Sequence, residues 1–359
     1  MRRFSLFLAG FAIAAISGAS ASCAVPLDHE FDDSGSGATD AATSDDAAIA
    51  AGCAVAPVAN VTLTGSLHSI AVDGGSLWIA DSASTPDAGA NVGAFDVAAA
   101  STDCANWMST FTKNAVDPSP LGADDVIVPL DLVSTASGVL LYYELFALDA
   151  SQPFGLRGLG TGLAIRDVAT GHFTPTSDLL WSPDRPTYGQ SALVVGSDLF
   201  VWGCQGVAPL DDACFVAKAS ANPASAASYS YWNGLGWSSN ADDAVAIVHA
   251  GGSVSVRVDP SRSSAFLMTY VPPLGDTLVV RSSLAPEGPW SGPITLARCS
   301  LDGANGNRFC AGGEQHPELA STAATLALTY DAVAFESDGG FGPPTAPVLA
   351  NVPVPSSLP

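Results

Sequence analysis

Four side chains have the types that acid–base cleavage of a glycosidic bond calls for: Asp81, Glu144, His316 and Glu318. Such chemistry needs one carboxyl that holds its proton to give to the leaving oxygen, and one ionised carboxylate to activate water or attack directly. Glu144 or Glu318 would supply the acid, Asp81 the base, and His316 would orient a carboxylate or a substrate hydroxyl. Aromatic faces could stack on the apolar C–H faces of a sugar ring. Trp202, Tyr270, Trp232 and Tyr330 are the candidates for that role. The plainer alternatives are that the carboxylates solvate strand ends and that Trp232 and Trp237 wedge between packed sheets.

These residues are linked by a recurring position. Asp81, Glu144, Gly203, Tyr270 and Tyr330 each stand four residues after one of Leu77, Leu140, Leu199, Phe266 and Leu326. Those five apolar residues recur at intervals of 63, 59, 67 and 60, each inside a short β-type run. In four of the copies a second β-run precedes it across a tight turn, as Leu67–Val72 precedes Gly75–Asp81 and Ile127–Val133 precedes Gly138–Glu144. Residues 251–296 hold the clearest copy, with runs at Val254–Val258, Ala265–Tyr270 and Thr277–Ser283 separated by Pro, Gly and Ser turns. An antiparallel meander of this size buries its two faces only against neighbours of the same kind. Five copies therefore predict an all-β fold, a five-bladed β-propeller over residues 53–359. In that fold Asp81 and Glu144 fall at equivalent places on adjacent blades, while Gln315-His316-Pro317-Glu318 reads as a loop before the last blade.

Composition narrows the partners. The chain carries 12 Lys+Arg against 35 Asp+Glu, a net charge of −23. It cannot build the basic face that nucleic acid or an anionic lipid surface requires. There is no Gly-x-Ser-x-Gly elbow, no His-Glu-x-x-His and no phosphate-binding glycine loop, so no cofactor is expected. No metal site is expected either. The cysteines lack zinc-like Cys-x-x-Cys spacing, and the acidic residues from Asp32 to Asp46 lack the closing Glu of a calcium loop. Carbohydrate is the expected ligand, and a monomer the expected state.

The N-terminus reads as an export signal over residues 1–22. Arg2-Arg3 are followed by an apolar run from Phe4 to Ile16, then by small residues up to Cys23. Cys23 is the expected lipidation point of a cell-envelope lipoprotein, with cleavage after Ala21 or Ser22 and soluble secretion as the alternative. Residues 23–52 are small and acidic, with too little apolar surface to fold, and read as a flexible tether. Seven cysteines are present, and setting Cys23 aside leaves six in three neighbouring pairs. Sequence proximity pairs Cys53 with Cys104, Cys204 with Cys214, and Cys299 with Cys310.

Several stretches, taken in order, carry a family resemblance. They are Gly189-Gln-Ser-Ala-Leu-Val, Asp198-Leu-Phe-Val-Trp-Gly, Tyr229-x-Tyr-Trp-x-Gly-x-x-Trp, Ala285-Pro-Glu-Gly-Pro-Trp-Ser-Gly-Pro and His316-Pro-Glu-Leu. Over about residues 60–335 this set resembles the secreted bacterial family called domain of unknown function 4185. That resemblance implies kinship with five-bladed propellers of the arabinanase, fructosidase and levansucrase type, whose acidic residues lie on strands of different blades.

Peptide mapping without reduction tests the cysteine assignment. Three linked peptide pairs are expected, with Cys23 in none of them; a disulfide-linked Cys23 overturns the anchor.

Overall fold

The computed structural model describes residues 67–73, 76–81, 91–96, 125–152, 155–208, 211–220, 223, 225–273, 275–298, 308–317, 324–334, 348–356 and 358, with side chains placed for most positions from 125 onward. Nearly all of the regular structure is antiparallel strand. The first sheet is β1 (Leu67–Asp73), β2 (Ser76–Asp81) and β3 (Asn91–Asp96). The second is β4 (Val126–Thr135), β5 (Gly138–Leu148), β6 (Leu156–Arg166) and β7 (Phe173–Pro175). The third runs β8 (Ser191–Val195), β9 (Asp198–Ala208), β10 (Asp211–Ser220), β11 (Ser230–Trp232) and β12 (Trp237–Ser238), with β13 (Val248–Ala250) also paired to β10. The fourth is β14 (Val254–Asp259), β15 (Arg262–Tyr270), β16 (Thr277–Ser283) and β17 (Ile294–Arg298). The fifth is β18 (Arg308–Gln315), β19 (Thr325–Ala334) and β20 (Val348–Pro353).

Each sheet is a meander, and the first strands meet in cyclic order. β4 touches β1 and β8, β14 touches β8 and β18, and β18 touches β1. Sheets radiating from a closed ring of first strands make a β-propeller. Three of the sheets carry four or more strands; the first and last show three among the described residues. No described helix is long and apolar enough to cross a membrane.

The core lies in the seams between sheets, which is what the period-2 pattern of the second strands dictates. Along β9, Leu199 and Val201 enter the seam shared with Leu140 and Tyr142 of the second sheet. Their neighbours Phe200 and Trp202 enter the opposite seam, with Val254, Val256, Phe266 and Met268 of the fourth. Leu267 of β15 turns the other way, toward Leu326 and Leu328 of the fifth. Both faces of these strands are thus apolar and buried, and that explains why their runs stand out in the sequence.

The first strands have a different problem. They are the inner edges of their sheets, and an edge leaves backbone N–H and C=O groups to be satisfied. Pro129 is tolerated in β4 for this reason, beside a bulge between Pro129 and Asp131. Polar side chains complete the edges. Asp131 Oδ2 accepts from the N–H of Ala192 at 2.6 Å, and Asp131 Oδ1 accepts from Arg257 Nη2 at 2.9 Å. Arg257 Nη1 donates to Ser191 Oγ and to the Val256 carbonyl, both at 2.9 Å, and Ser191 Oγ accepts from the N–H of Val256 at 2.9 Å. On the next seam Gln315 Nε2 donates to the carbonyls of Ser255 (2.7 Å) and Leu267 (3.0 Å), while Ser255 Oγ accepts from the Gln315 N–H at 2.9 Å. Side chains from β4, β8, β14 and β18 are tied together in this way.

The structure corrects one expectation here. Gln315 ends a strand, β18, and His316 follows it directly, so the segment starts within the last sheet and not in a loop ahead of it. Its glycines hid it, because Gly312 and Gly313 take φ of 78° and 109° at a bulge in the pairing with β19.

Replacing Asp131 by Asn leaves the Arg257 guanidinium buried beside a neutral partner, which costs on the order of 3–5 kcal/mol. Urea unfolding of Asp131→Asn and Arg257→Met is expected to show losses of that size, and the double variant a loss well short of their sum. Additive losses contradict a single coupled network.

Candidate functional site

The recurring position read from the sequence has a structural meaning. Glu144 pairs with Val128 near the start of β4, Tyr270 with Val254 at the start of β14, and Tyr330 with Gly312 in β18. Asp81 pairs with Leu67, the first residue of β1. Gly203 follows Trp202, which pairs with Ser191 at the start of β8. Four of the five lie toward the end of the sheets where first strands begin, and Tyr330 sits opposite a point part-way along β18. They belong to second strands, however, and the rings of Tyr270 and Tyr330 are accordingly turned into seams.

The aromatic candidates show the consequence. Trp202 is fully buried, its ring centroid 6.2 Å from that of Phe200, and it offers no face to a ligand. Tyr270 is buried, and its hydroxyl accepts from Arg281 Nε at 2.7 Å. Tyr330 is buried in the seam between the fourth and fifth sheets. Trp232 and Trp237 sit with ring centroids 5.5 Å apart and pack on the seam between the third and fourth sheets, with Lys218 over the Trp237 ring. Their place is that of wedges. The stacking role expected of these four aromatics is not met by the buried three, and Trp232 is mainly a packing residue.

His316 is also buried, with Nε2 2.7 Å from Thr329 Oγ1. Its bonds tie β18 to β19, since its N–H also donates to the Ala327 carbonyl. Glu318 and the side chain of Asp81 lie outside the described residues, as do Cys23, Cys53, Cys104 and Cys299. Cys204 and Cys214 face each other across β9 and β10 in the expected disulfide. Cys310 is disulfide-bonded as well.

Glu144 differs from all of these. Its carboxyl makes no hydrogen bond or ion pair among the described residues, and it retains some access to solvent. Protein nevertheless crowds it closely enough that desolvation pushes its pKa up to about 8. Crowding rather than residual exposure sets proton affinity here, because the surrounding protein leaves too little water to solvate a charge. Two residues earlier on the same face, Tyr142 shares a 2.7 Å hydrogen bond with Tyr229. Gly189 lies against Tyr142, where a Cβ would fall 2.5 Å from the tyrosine Cβ, and it takes a φ of 102°. Glu144 therefore stands at the mouth of the seam between the second and third sheets.

The sequence pointed to second-strand ends and so missed the groups on first strands. At the same end of the ring, Gln190 precedes β8, with its Oε1 accepting from the Cys204 N–H at 2.9 Å. Ser253 precedes β14 and donates to Glu314 of β18 at 3.3 Å. A second buried acid, Asp212 of β10, is pushed up to about 7 by burial and by the nearby charge of Asp211. No group of three or more His, Cys, Asp or Glu suited to a metal ion occurs among the described residues.

Comparison with solved structures gives the fold and little more. A Bacteroides ovatus protein described as a candidate hydrolase superposes with a TM-score of 0.52 at 12% identity, covering 82% of this chain and 87% of its own. The likeness is one of fold. A GH43_1 enzyme of Xanthomonas citri complexed with xylose follows at TM-score 0.47 and 13% identity, over 80% of this chain and 92% of that one. An exo-β-1,3-galactanase of Phanerochaete chrysosporium gives 0.49 and 10%, over 83% and 61%. No protein-family model and no curated protein matches the sequence, so the resemblance to the domain of unknown function 4185 family rests on its motifs.

Glu144 and Asp212 have folded-state values of about 8 and about 7 against ordinary values of 4.5 and 3.8. The native protein thus holds more protons than the unfolded chain between those limits, and stability falls as pH rises through them. A loss on the order of 6 kcal/mol between pH 5 and pH 8 is expected, somewhat more than half of it from Glu144. Glu144→Gln should flatten that slope in urea unfolding; an unchanged slope shows that Glu144 is not desolvated.

Proposed function

We propose that the chain is an exported, lipid-anchored β-propeller whose five sheets are five blades, and that it binds or hydrolyses carbohydrate in the funnel where the first strands converge. The observation that carries this reading is Glu144. It is a carboxyl that keeps its proton near neutral pH, reaches solvent and has no partner among the described residues. That is the state a general acid needs before it protonates a glycosidic oxygen.

In the hydrolytic form, the Glu144 proton passes to the bridging oxygen as the bond from the anomeric carbon breaks. Asp81, at the equivalent place on the first sheet, removes a proton from the attacking water or attacks the carbon itself. A carboxyl separation of about 5–5.5 Å selects retention and about 6.5–9.5 Å inversion. Glu318 is the alternative acid.

A second reading is a non-catalytic envelope protein that binds a glycan or another protein. One feature favours it. The third sheet presents Gly203 where the first and second present acids, and a side chain there would collide with the backbone of Thr187 and Tyr188.

A screen of soluble polysaccharides for binding and for released reducing sugar separates the two. Turnover abolished by Asp81→Asn and lowered at least a hundredfold by Glu144→Gln, with binding intact, supports hydrolysis. Turnover is then also expected to fall as pH rises past about 8, where the Glu144 proton is lost. Binding without product release supports the second reading, and no binding to any glycan overturns the carbohydrate assignment.

A further inference from the structure

The anchored network fixes heights along the seam between the second and third sheets. Asp131 pairs with Tyr142 in the β4–β5 ladder, and its Oδ2 accepts from the N–H of Ala192. Tyr142 and Ala192 are therefore level across the seam. From that level Glu144 lies two residues onward along β5, toward the end where first strands begin. Gln190 lies two residues from Ala192 in the same direction, because the chain enters β8 from that end. Two residues of strand are about 6–7 Å on either side. The carboxyl of Glu144 and the side chain of Gln190 thus reach the same level on facing elements.

The Gln190 amide is also oriented. Its oxygen must be the atom that meets the Cys204 N–H, because a backbone N–H needs an acceptor. Cys204 is held in turn by its disulfide to Cys214 on the neighbouring strand. Nε2 is left without a hydrogen bond among the described residues and is not sealed from solvent. An amide whose acceptor is fixed by the backbone, with two N–H donors left over, suits an sp³ oxygen of a ligand. Ser191, the next residue, is fully buried in the Asp131–Arg257 network, so the backbone at Gln190 has little freedom.

We propose that Gln190 is a ligand-binding residue, donating an amide N–H to a hydroxyl of the sugar that the Glu144 carboxyl faces. This rests on the carbohydrate reading and names a second contact of the same site, one supplied by the residue that leads into a first strand. It makes the seam between the second and third sheets the place where the ligand is read.

The test is Gln190→Glu. The variant keeps an oxygen for the Cys204 N–H but has no donor to offer at the pH where the new carboxylate is ionised. Calorimetric titration of the full chain with xylotriose, arabinotriose and β-1,3-galactotriose is measured beside the melting temperature. For whichever of these the wild-type chain binds, Gln190→Glu is expected to lower affinity at least tenfold with Tm held within about 2 °C. Gln190→Met, which loses both bonds, should lower affinity and Tm together. Wild-type affinity in Gln190→Glu overturns the role of Gln190 and leaves the carbohydrate reading standing. If the wild-type chain binds neither these three sugars nor any other glycan, both are overturned.

Discussion

The bond between Arg257 and Asp131 joins residues 126 positions apart and is buried at both ends. Replacing such a pair with apolar side chains often costs nothing in stability, so strength alone does not explain it. Its value lies in what else the two groups touch. Asp131 accepts the N–H of Ala192, and Arg257 donates to Ser191 and Val256. One ion pair thereby serves the inner edges of three sheets. A propeller has no hydrogen-bonded ladder between one blade and the next, so blades slide unless something sets their heights. Greasy seams resist separation but tolerate sliding, because apolar contact is not directional. The polar bonds among first strands provide the direction.

Functional geometry follows from that constraint. Glu144 sits on β5, Gln190 precedes β8, and no ladder connects them. Their common level is set through Asp131, which pairs with Tyr142 on one side and bonds Ala192 on the other. Gly189 allows the close approach, since any side chain there would meet Tyr142. Between the fourth and fifth sheets, Ser255 and Gln315 do the corresponding work, and Thr269 adds a bond to the Gly313 carbonyl at 2.6 Å. Polar residues that could be taken for a binding surface are here committed to backbone groups.

What the sequence made legible follows the same division. Second strands such as Gly138–Leu148 and Asp198–Ala208 are apolar on both faces, so their runs were easy to see and their spacing gave the repeat. First strands are shorter or broken by polar groups, and their function is to satisfy edges. Asp131 lay hidden within Val-Ile-Val-Pro-Leu-Asp-Leu-Val, and Ser191 within an unremarkable Gln-Ser-Ala-Leu. A usable signal existed in both Asp131 and Arg257, each a single charge in a β-run with apolar neighbours on either side. A charge so placed is buried, and a buried charge needs a partner. The β18 strand left no pattern at all, because its Gly-Gly bulge breaks the alternation that marks a strand. For the site, Glu144 was found through position, whereas Tyr270, at the equivalent position, and Trp202, beside Gly203, were misread because their side chains point from a second strand into a seam.

The contrast between Glu144 and its neighbours argues for the role assigned to it. The buried polar groups described along the first strands, Asp131, Ser191, Ser255, Arg257 and Gln315, each have partners supplied by the fold. Tyr142, on the same strand and face, shares its hydroxyl hydrogen bond with Tyr229. Glu144 receives none, and burial raises its pKa to about 8. A glutamine or an aliphatic residue would relieve that cost without disturbing any bond described here. A fold that satisfies the edge groups at Ala192, Val256 and Gln315 so thoroughly yet leaves the crowded Glu144 carboxyl without a partner holds a destabilising group in place. Such groups concentrate where a ligand supplies the missing partner. On this reading the missing partner is the oxygen of a bound sugar, and the cost of the lone acid is recovered only when the site is filled.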